Sequence, residues 1–315
     1  MSSQKFNLVT RTSGVNRALK EGLVKPKTCD LEFIEVDPII AAFRRQVRGS
    51  EFDICEMAIT TYLCAKAHGK PMTAIPVPLV RQFHHGATLV NTKSGVKVPK
   101  DLEGKRVGVN RGYTVTTGVW ARGIMQDEYG LDLSKVTWVL SGDEHVAEYK
   151  APSNVVPIEA GKKMEDMLAS GELAAAIGAD VKHPDVQPLI PNALDAGLAT
   201  FKREGVFPIN HLVVIRDDLL AKNPDLAADI FQAFVASKNV WLDQLKAGKI
   251  EQPDAADALA QKVMAISGGD PMPYGIAPNR KTLETLISHA FRQSIIPKML
   301  APEDIFAKGT HGLVG

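Results

Sequence analysis

Arg111 and the hydroxyls of Tyr113, Thr114, Thr116 and Thr117 follow directly on a short apolar run, Val107 to Val109, and lead into a helix-like stretch, Val119 to Tyr129. A strand–turn–helix unit of this kind sets unpaired N–H groups and the positive end of a helix dipole beside the turn. A guanidinium in the same place can clamp a carboxylate through two parallel hydrogen bonds. The expected chemistry is recognition of a small carboxylated anion. Helix capping by Thr114 or Thr116 would explain one hydroxyl and leave the rest of the cluster unexplained.

Other groups able to do chemistry sit at junctions. Arg81 precedes the neighbouring pair His84-His85, whose imidazoles titrate near neutrality and serve as acid, base or metal ligand. In an extended segment the two point to opposite sides, so one faces a ligand and the other does not. Ser141-Gly142-Asp143-Glu144-His145 follows the strand-like Val136–Leu140, where an α/β ligand loop belongs. Glu56 ends another strand-like run, Asn210-His211 enters a third after Phe207-Pro208, and Tyr274-Gly275 with Asn279-Arg280 borders a glycine-rich loop. Ordinary ion pairing would account equally well for Glu56 and for the acidic loop.

Metal and nucleotide signatures are absent: there is no H-x-H, H-E-x-x-H, glycine-rich phosphate loop or G-x-S-x-G elbow. No cofactor is therefore expected. The alternative is a divalent metal assembled from His84, His85, His145 and Glu144.

These residues need a scaffold. Strand patterns at Phe6–Val9, Leu31–Val36, Phe52–Met57 and residues 72–77 alternate with helices starting at Pro38 and Ile59. A second block holds strands at 87–91, 107–109, 136–140 and 174–178, and a helix at 159–170. A strand at His211–Ile215, a long amphipathic helix after Asn223-Pro224 and a last helix at Lys281–Phe291 complete the chain. Alternating βα units predict parallel sheets covered by helices, in two α/β lobes around a cleft.

Composition excludes several classes. With 45% hydrophobic and 23% charged residues in 315, the chain has enough apolar content for two cores, and a net charge of +1 offers no global attraction to nucleic acid or a membrane. Three cysteines without C-x-x-C spacing read as free thiols of a reducing compartment. No export signal opens the sequence, so the expected location is cytoplasmic. Nothing in the sequence decides between a monomer and a homo-oligomer.

Taken together, Arg81–Gly86, Asp101–Val109, Tyr113–Trp120, Gly142–His145, Phe207–His211 and Tyr274–Ile276 with Asn279-Arg280 resemble the 4,5-dihydroxyphthalate decarboxylases over residues 5 to 310. The Asp-Leu-x-Gly-Lys-x-Val-Gly-Val pattern is also similar to periplasmic binding proteins. The resemblance implies a two-lobed type II periplasmic-binding-protein-like fold with a central cleft and two crossover strands. Lobe one would hold residues 1–87 and 210–315, and lobe two 88–209.

It also implies cofactor-independent decarboxylation of 4,5-dihydroxyphthalate, or a close hydroxylated aromatic diacid, by a carbon–carbon lyase, to 3,4-dihydroxybenzoate and carbon dioxide. On that reading Arg111, Arg81 and the turn Tyr113, Thr114, Thr116, Thr117 hold carboxylates, and His145 and Glu144 meet the catechol oxygens. His84 or His211 delivers the proton, with His85 in reserve, and Trp120, Glu56 and Tyr274 complete the substrate contacts. The rival is a non-enzymatic receptor for an aromatic or other small organic anion; a metal-dependent enzyme is a third class.

Overall fold

The computed structural model describes residues 4–315. In chain order, β1 (Gln4–Val9), α1 (Gly14–Lys20), β2 (Cys29–Ile34), α2 (Ile40–Gly49), β3 (Ile54–Ala58), α3 (Ile59–Ala67) and β4 (Met72–Arg81) come first. Then follow β5 (Thr88–Asn91), β6 (Arg106–Val109), α4 (Thr116–Tyr129), β7 (Thr137–Leu140), β8 (Val155–Pro157), α5 (Met164–Ser170), β9 (Ala175–Ile177), β10 (Val186–Pro188) and α6 (Ala193–Glu204). The chain closes with β11 (Ile209–Arg216), α7 (Asp217–Lys222), α8 (Leu226–Ala247), α9 (Ala255–Ser267) and α10 (Arg280–Arg292).

Two compact units result. The first takes the chain up to Gln82, Ile209–Ile287 and Leu300–Gly315; the second takes Phe83–Pro208 and Ser288–Met299. The segment 288–299, expected with lobe one, groups with the second unit because His289 and Gln293 bond to Asp127 and Val119 of α4.

The sheet of the first unit runs β2-β1-β3-β11-β4, with β1 parallel to β2 and β3, and β11 antiparallel to β3 and β4. Every residue of β3 is buried, as a central strand covered on both faces requires. Helix α8 turns Leu226, Ile230, Phe231, Phe234, Trp241 and Leu245 inward at three- and four-residue spacing, with α1 residues Val15 and Leu19 in the same core. Strand β4 continues through Pro76 and Pro78 to Arg81, past the expected end at 77. It is the last strand of the sheet, and Pro76 and Pro78 fall where its register with β11 is interrupted, between Ile75 and Val80.

The second unit's sheet runs β10-β5-β9-β6-β7-β8. Strands β9, β6, β7 and β8 are parallel; β5 is antiparallel to β9 and β10. Both sheets are thus mixed, where the alternating pattern predicted parallel ones. The antiparallel members, β5 and β11, enter soon after the chain has passed from one unit to the other. Met164, Met167 and Leu168 of α5 pack on Val139 and Ala176. Helix α5 starts at Met164, five residues later than expected, beyond the turn around the left-handed Gly161.

Cys29, Cys55 and Cys64 are buried free thiols. Among the described residues no helix is long and apolar enough to cross a membrane.

Candidate functional site

In the first unit, the register of β11 against β3 pairs His211 with Ala58 and Val213 with Glu56. Glu56 and His211 are therefore diagonal neighbours on one face of the sheet, within reach of each other. Glu56 Oε1 lies 2.7 Å from His211 Nδ1. Its Oε2 accepts the Thr10 hydroxyl at 2.8 Å and the Arg11 backbone N–H at 3.1 Å, and Arg11 Nε stands 3.7 Å from Oε1. Asn16 ties this loop down by donating to Thr10 Oγ1 and the Arg11 carbonyl, at 2.9 and 2.8 Å.

The Glu56 side chain is 1% exposed. Burial alone would raise its pKa, but the hydrogen bond and charge of His211, the charge of Arg11 and the Thr10 hydroxyl outweigh it and hold the carboxyl below its usual range. An ionised carboxylate only accepts hydrogen bonds, so His211 Nδ1 carries the proton and donates it to Glu56. The His211 ring is 16% exposed and stands edge-on to Phe43 at 5.0 Å. Its Nε2 has no hydrogen-bond partner among the described residues. Glu56, expected among the substrate contacts, is instead the group that orients His211.

In the second unit, Arg111 follows β6 in the left-handed region, φ 67°, a conformation costly for a residue with a side chain. The loop after β7 holds it there: Arg111 N–H donates to Ser141 Oγ at 2.8 Å, and Gly142 N–H donates to the Arg111 carbonyl at 3.2 Å. Glu144 of the same loop accepts the Tyr113 N–H, the Thr114 N–H at 3.2 Å and the Thr114 hydroxyl at 2.6 Å. Gly112 permits this approach, since a Cβ there would lie 2.6 Å from the Glu144 carboxylate carbon. Two of the turn's N–H groups, those of Tyr113 and Thr114, expected to receive substrate, are thus filled by Glu144. The same contacts take Glu144 away from the role of partner to a catechol oxygen.

Arg111 remains as the open cation. Its Nε is buried without a partner, no acid pairs with it among the described residues, and burial lowers its pKa while leaving it charged. Thr116 and Thr117 form the first turn of α4 beside it.

Other expected contacts lie inside the units. His85, 2% exposed, holds Glu128 of α4 at 3.1 Å, and Thr200 of α6 donates to the same carboxylate. Trp120 is core, edge-on to His289 at 5.3 Å. Tyr274 belongs to the first unit's core against Phe231, and burial drives its hydroxyl far above the ordinary phenol range. The structure thus engages these three side chains in packing and pairing inside their units. Arg81 donates to Asn279 Oδ1, and burial pulls its pKa down to about 10 against the field of Asp270. His84 and His145 are buried. Among the described residues no three His, Cys, Asp or Glu side chains gather as a cation site, so His84, His85, His145 and Glu144 do not assemble one.

Sequence reasoning missed Thr10, Arg11 and Asn16 around Glu56, and Arg122 and Gln293 behind the Tyr113 turn. Arg122 had a signal: it interrupts the apolar stretch Val119 to Ile124.

The NMT1/THI5-like family profile matches residues 45–243. The 4,5-dihydroxyphthalate decarboxylase of Comamonas testosteroni is 30% identical over 97% of this chain and 97% of its own. Among solved structures, the periplasmic aliphatic sulphonate binding protein SsuA of Escherichia coli is similar with a TM-score of 0.53, at 12% identity over 97% of this chain and 98% of that one. The desulfurization enzyme DSZB is similar with a TM-score of 0.53, at 13% identity over 96% of both chains. At such identity the structural likeness speaks for the fold alone: a two-lobed type II periplasmic-binding-protein-like fold, which carries a receptor in one case and an enzyme in the other. Nearly full coverage by the Comamonas relative and a profile spanning more than half the chain make this protein a member of the NMT1/THI5-like family and of the 4,5-dihydroxyphthalate decarboxylase family.

Proposed function

We propose that the protein removes one carboxyl group from 4,5-dihydroxyphthalate, or a close hydroxylated aromatic diacid, giving 3,4-dihydroxybenzoate and carbon dioxide. The observation that carries this reading is the Glu56–His211 pair, a buried carboxylate holding an imidazole whose other nitrogen is free. A receptor for an anion needs a cation such as Arg111; it does not need an oriented acid–base group.

In the diacid each carboxylate is para to a hydroxyl. As that hydroxyl gives up its proton, electron density reaches the carbon that bears the carboxylate. His211, protonated on both nitrogens, passes the Nε2 proton to that carbon, and Glu56 stabilises the imidazolium through Nδ1. The carbon–carbon bond then breaks, its electron pair restores the aromatic ring, and carbon dioxide leaves. The phenolate regains a proton from solvent, so one proton is consumed overall. The ring is the electron sink, and this reading calls on no cofactor.

Arg111 binds the carboxylate that stays. His145, next to Glu144, is assigned to the catechol oxygen, and Arg81 to the departing group, which must be held loosely because a firm grip would favour the ground state. His211 is preferred to His84 as the acid because its ring is both held and accessible.

Incubation with 4,5-dihydroxyphthalate tests the proposal, with carbon dioxide release and the product spectrum as readouts. Release of one equivalent with formation of 3,4-dihydroxybenzoate supports it. Saturable binding without release would make the protein a receptor of the SsuA kind.

A further inference from the structure

Behind the Arg111 turn lies a cation that neither capping nor ion pairing explains. Arg122 of α4 is wholly buried; among the described residues no carboxylate lies within ion-pair distance of it, although the charge of Glu144 acts on it from across the turn. Its Nη2 donates to the Tyr113 carbonyl at 2.6 Å and its Nε to Gln293 Oε1 at 2.8 Å. The guanidinium carbon stands 3.8 Å from the centroid of the Tyr113 ring and 5.5 Å from that of Trp138. Nη1 has no partner and lies against Gly118, where a Cβ would come within 2.9 Å. A buried guanidinium without an acid is costly, and an apolar side chain of similar length would avoid the cost. Stability of α4 is therefore a poor reason for an arginine here.

The peptide joining Tyr113 and Thr114 shows what the charge does. Across a trans peptide the carbonyl and the following N–H point in opposite directions. Arg122 grips the Tyr113 carbonyl from one side, and Glu144 receives the Thr114 N–H from the other. One peptide plane is thus clamped at both edges, two residues after the left-handed Arg111, whose own N–H and carbonyl are tied to Ser141 and Gly142. Without the inner clamp this peptide is free to flip. A flip would turn the Tyr113 carbonyl toward Glu144, repel that carboxylate and release the turn that presents Arg111.

The geometry points to Arg122 as a positioning residue: through the Tyr113 carbonyl it fixes the 113–114 peptide and holds Arg111 where it receives a carboxylate. The assignment rests on the reading above, in which Arg111 is the carboxylate anchor. It goes further in naming a residue that touches no substrate and still sets its affinity.

The test is a double-mutant cycle on the full-length protein, read by calorimetry with phthalate, a diacid lacking the hydroxyls the reaction needs. Arg122→Met weakens phthalate binding by about tenfold, and Arg122→Lys, which keeps a charge and one donor for the Tyr113 carbonyl, restores part of the loss. In an Arg111→Met background, titrated to millimolar phthalate, the same Arg122→Met change moves affinity by less than about twofold, because the anchor it positions is gone. Gln293→Met serves as a second variant that keeps the buried charge and frees its Nε, with a smaller loss that also vanishes without Arg111.

A strut of purely structural value would shift the melting temperature and leave phthalate affinity unmoved; that result overturns the proposal. Equal losses with and without Arg111 also overturn it. If wild-type protein binds phthalate and Arg122→Met binds it equally well, only the positioning role falls. If wild-type protein binds none, the carboxylate-anchor reading falls with it.

Discussion

His211 on β11 and Glu56 on β3 are 155 residues apart in sequence, and their side chains meet at 2.7 Å because the two strands run antiparallel in a register that makes them diagonal neighbours. The carboxylate keeps a proton on Nδ1, and the strand fixes where Nε2 points. The proposed function rests on that pairing and on Arg111, which has no acidic partner among the described residues.

Glu56→Gln tests the pairing directly. The amide keeps the size of the side chain but removes the charge that stabilises the imidazolium, and its NH2 group can face Nδ1. Turnover of 4,5-dihydroxyphthalate should fall by roughly 10²-fold, the lower end for loss of general acid–base assistance, with KM little changed. Steady-state kinetics check it; a KM effect alone would return Glu56 to substrate binding.

The same carboxyl sets an acid limit on stability. Its native pKa is held below the usual carboxylate range, so the folded state binds this proton less readily than the unfolded chain. The stabilisation is therefore complete above the unfolded value of about 4.3 and is lost as pH falls through the lower native pKa. Melting temperatures between pH 6 and 3 should drop less steeply for Glu56→Gln than for wild type. Parallel curves would remove Glu56 as a source of the acid sensitivity.

Arg111, the proposed anion site, holds a left-handed backbone conformation. Glycine adopts its φ of 67° without strain, so Arg111→Gly should leave stability unchanged or raise it by about 1 kcal/mol while abolishing phthalate binding. Chemical denaturation and calorimetry on one preparation measure both effects. A large loss of stability would mean that the guanidinium is structural.

Gly112→Ala probes the seat of Glu144. The new methyl meets the far end of a flexible side chain, so it displaces the carboxylate at little cost to the fold. Melting temperature should move by only a few degrees, and phthalate affinity should fall because the loop no longer holds Arg111. Unchanged affinity would separate Glu144 from the turn's function.

Much of this was legible in the residues. The strand–turn–helix around Arg111 was visible from its apolar run and hydroxyl cluster, and most helices from their caps and periodicity. What the sequence could not reveal were pairings across long separations. Nothing local says that the carboxylate at position 56 faces the imidazole at 211, or that Glu144 folds back onto the Tyr113 N–H. Trp120 and Tyr274 misled because a polar-tipped aromatic near a motif reads the same whether it lines a ligand or fills a core. Antiparallel β5 and β11 were hidden for a similar reason: strand direction follows from the path of the chain between units, which hydrophobic alternation does not encode.

The central claim is that His211 delivers the proton. His211→Asn should keep phthalate affinity within about threefold of wild type, since Arg111 is untouched, while carbon dioxide release from 4,5-dihydroxyphthalate falls by at least roughly 10²-fold. Near-wild-type release by His211→Asn would contradict the account.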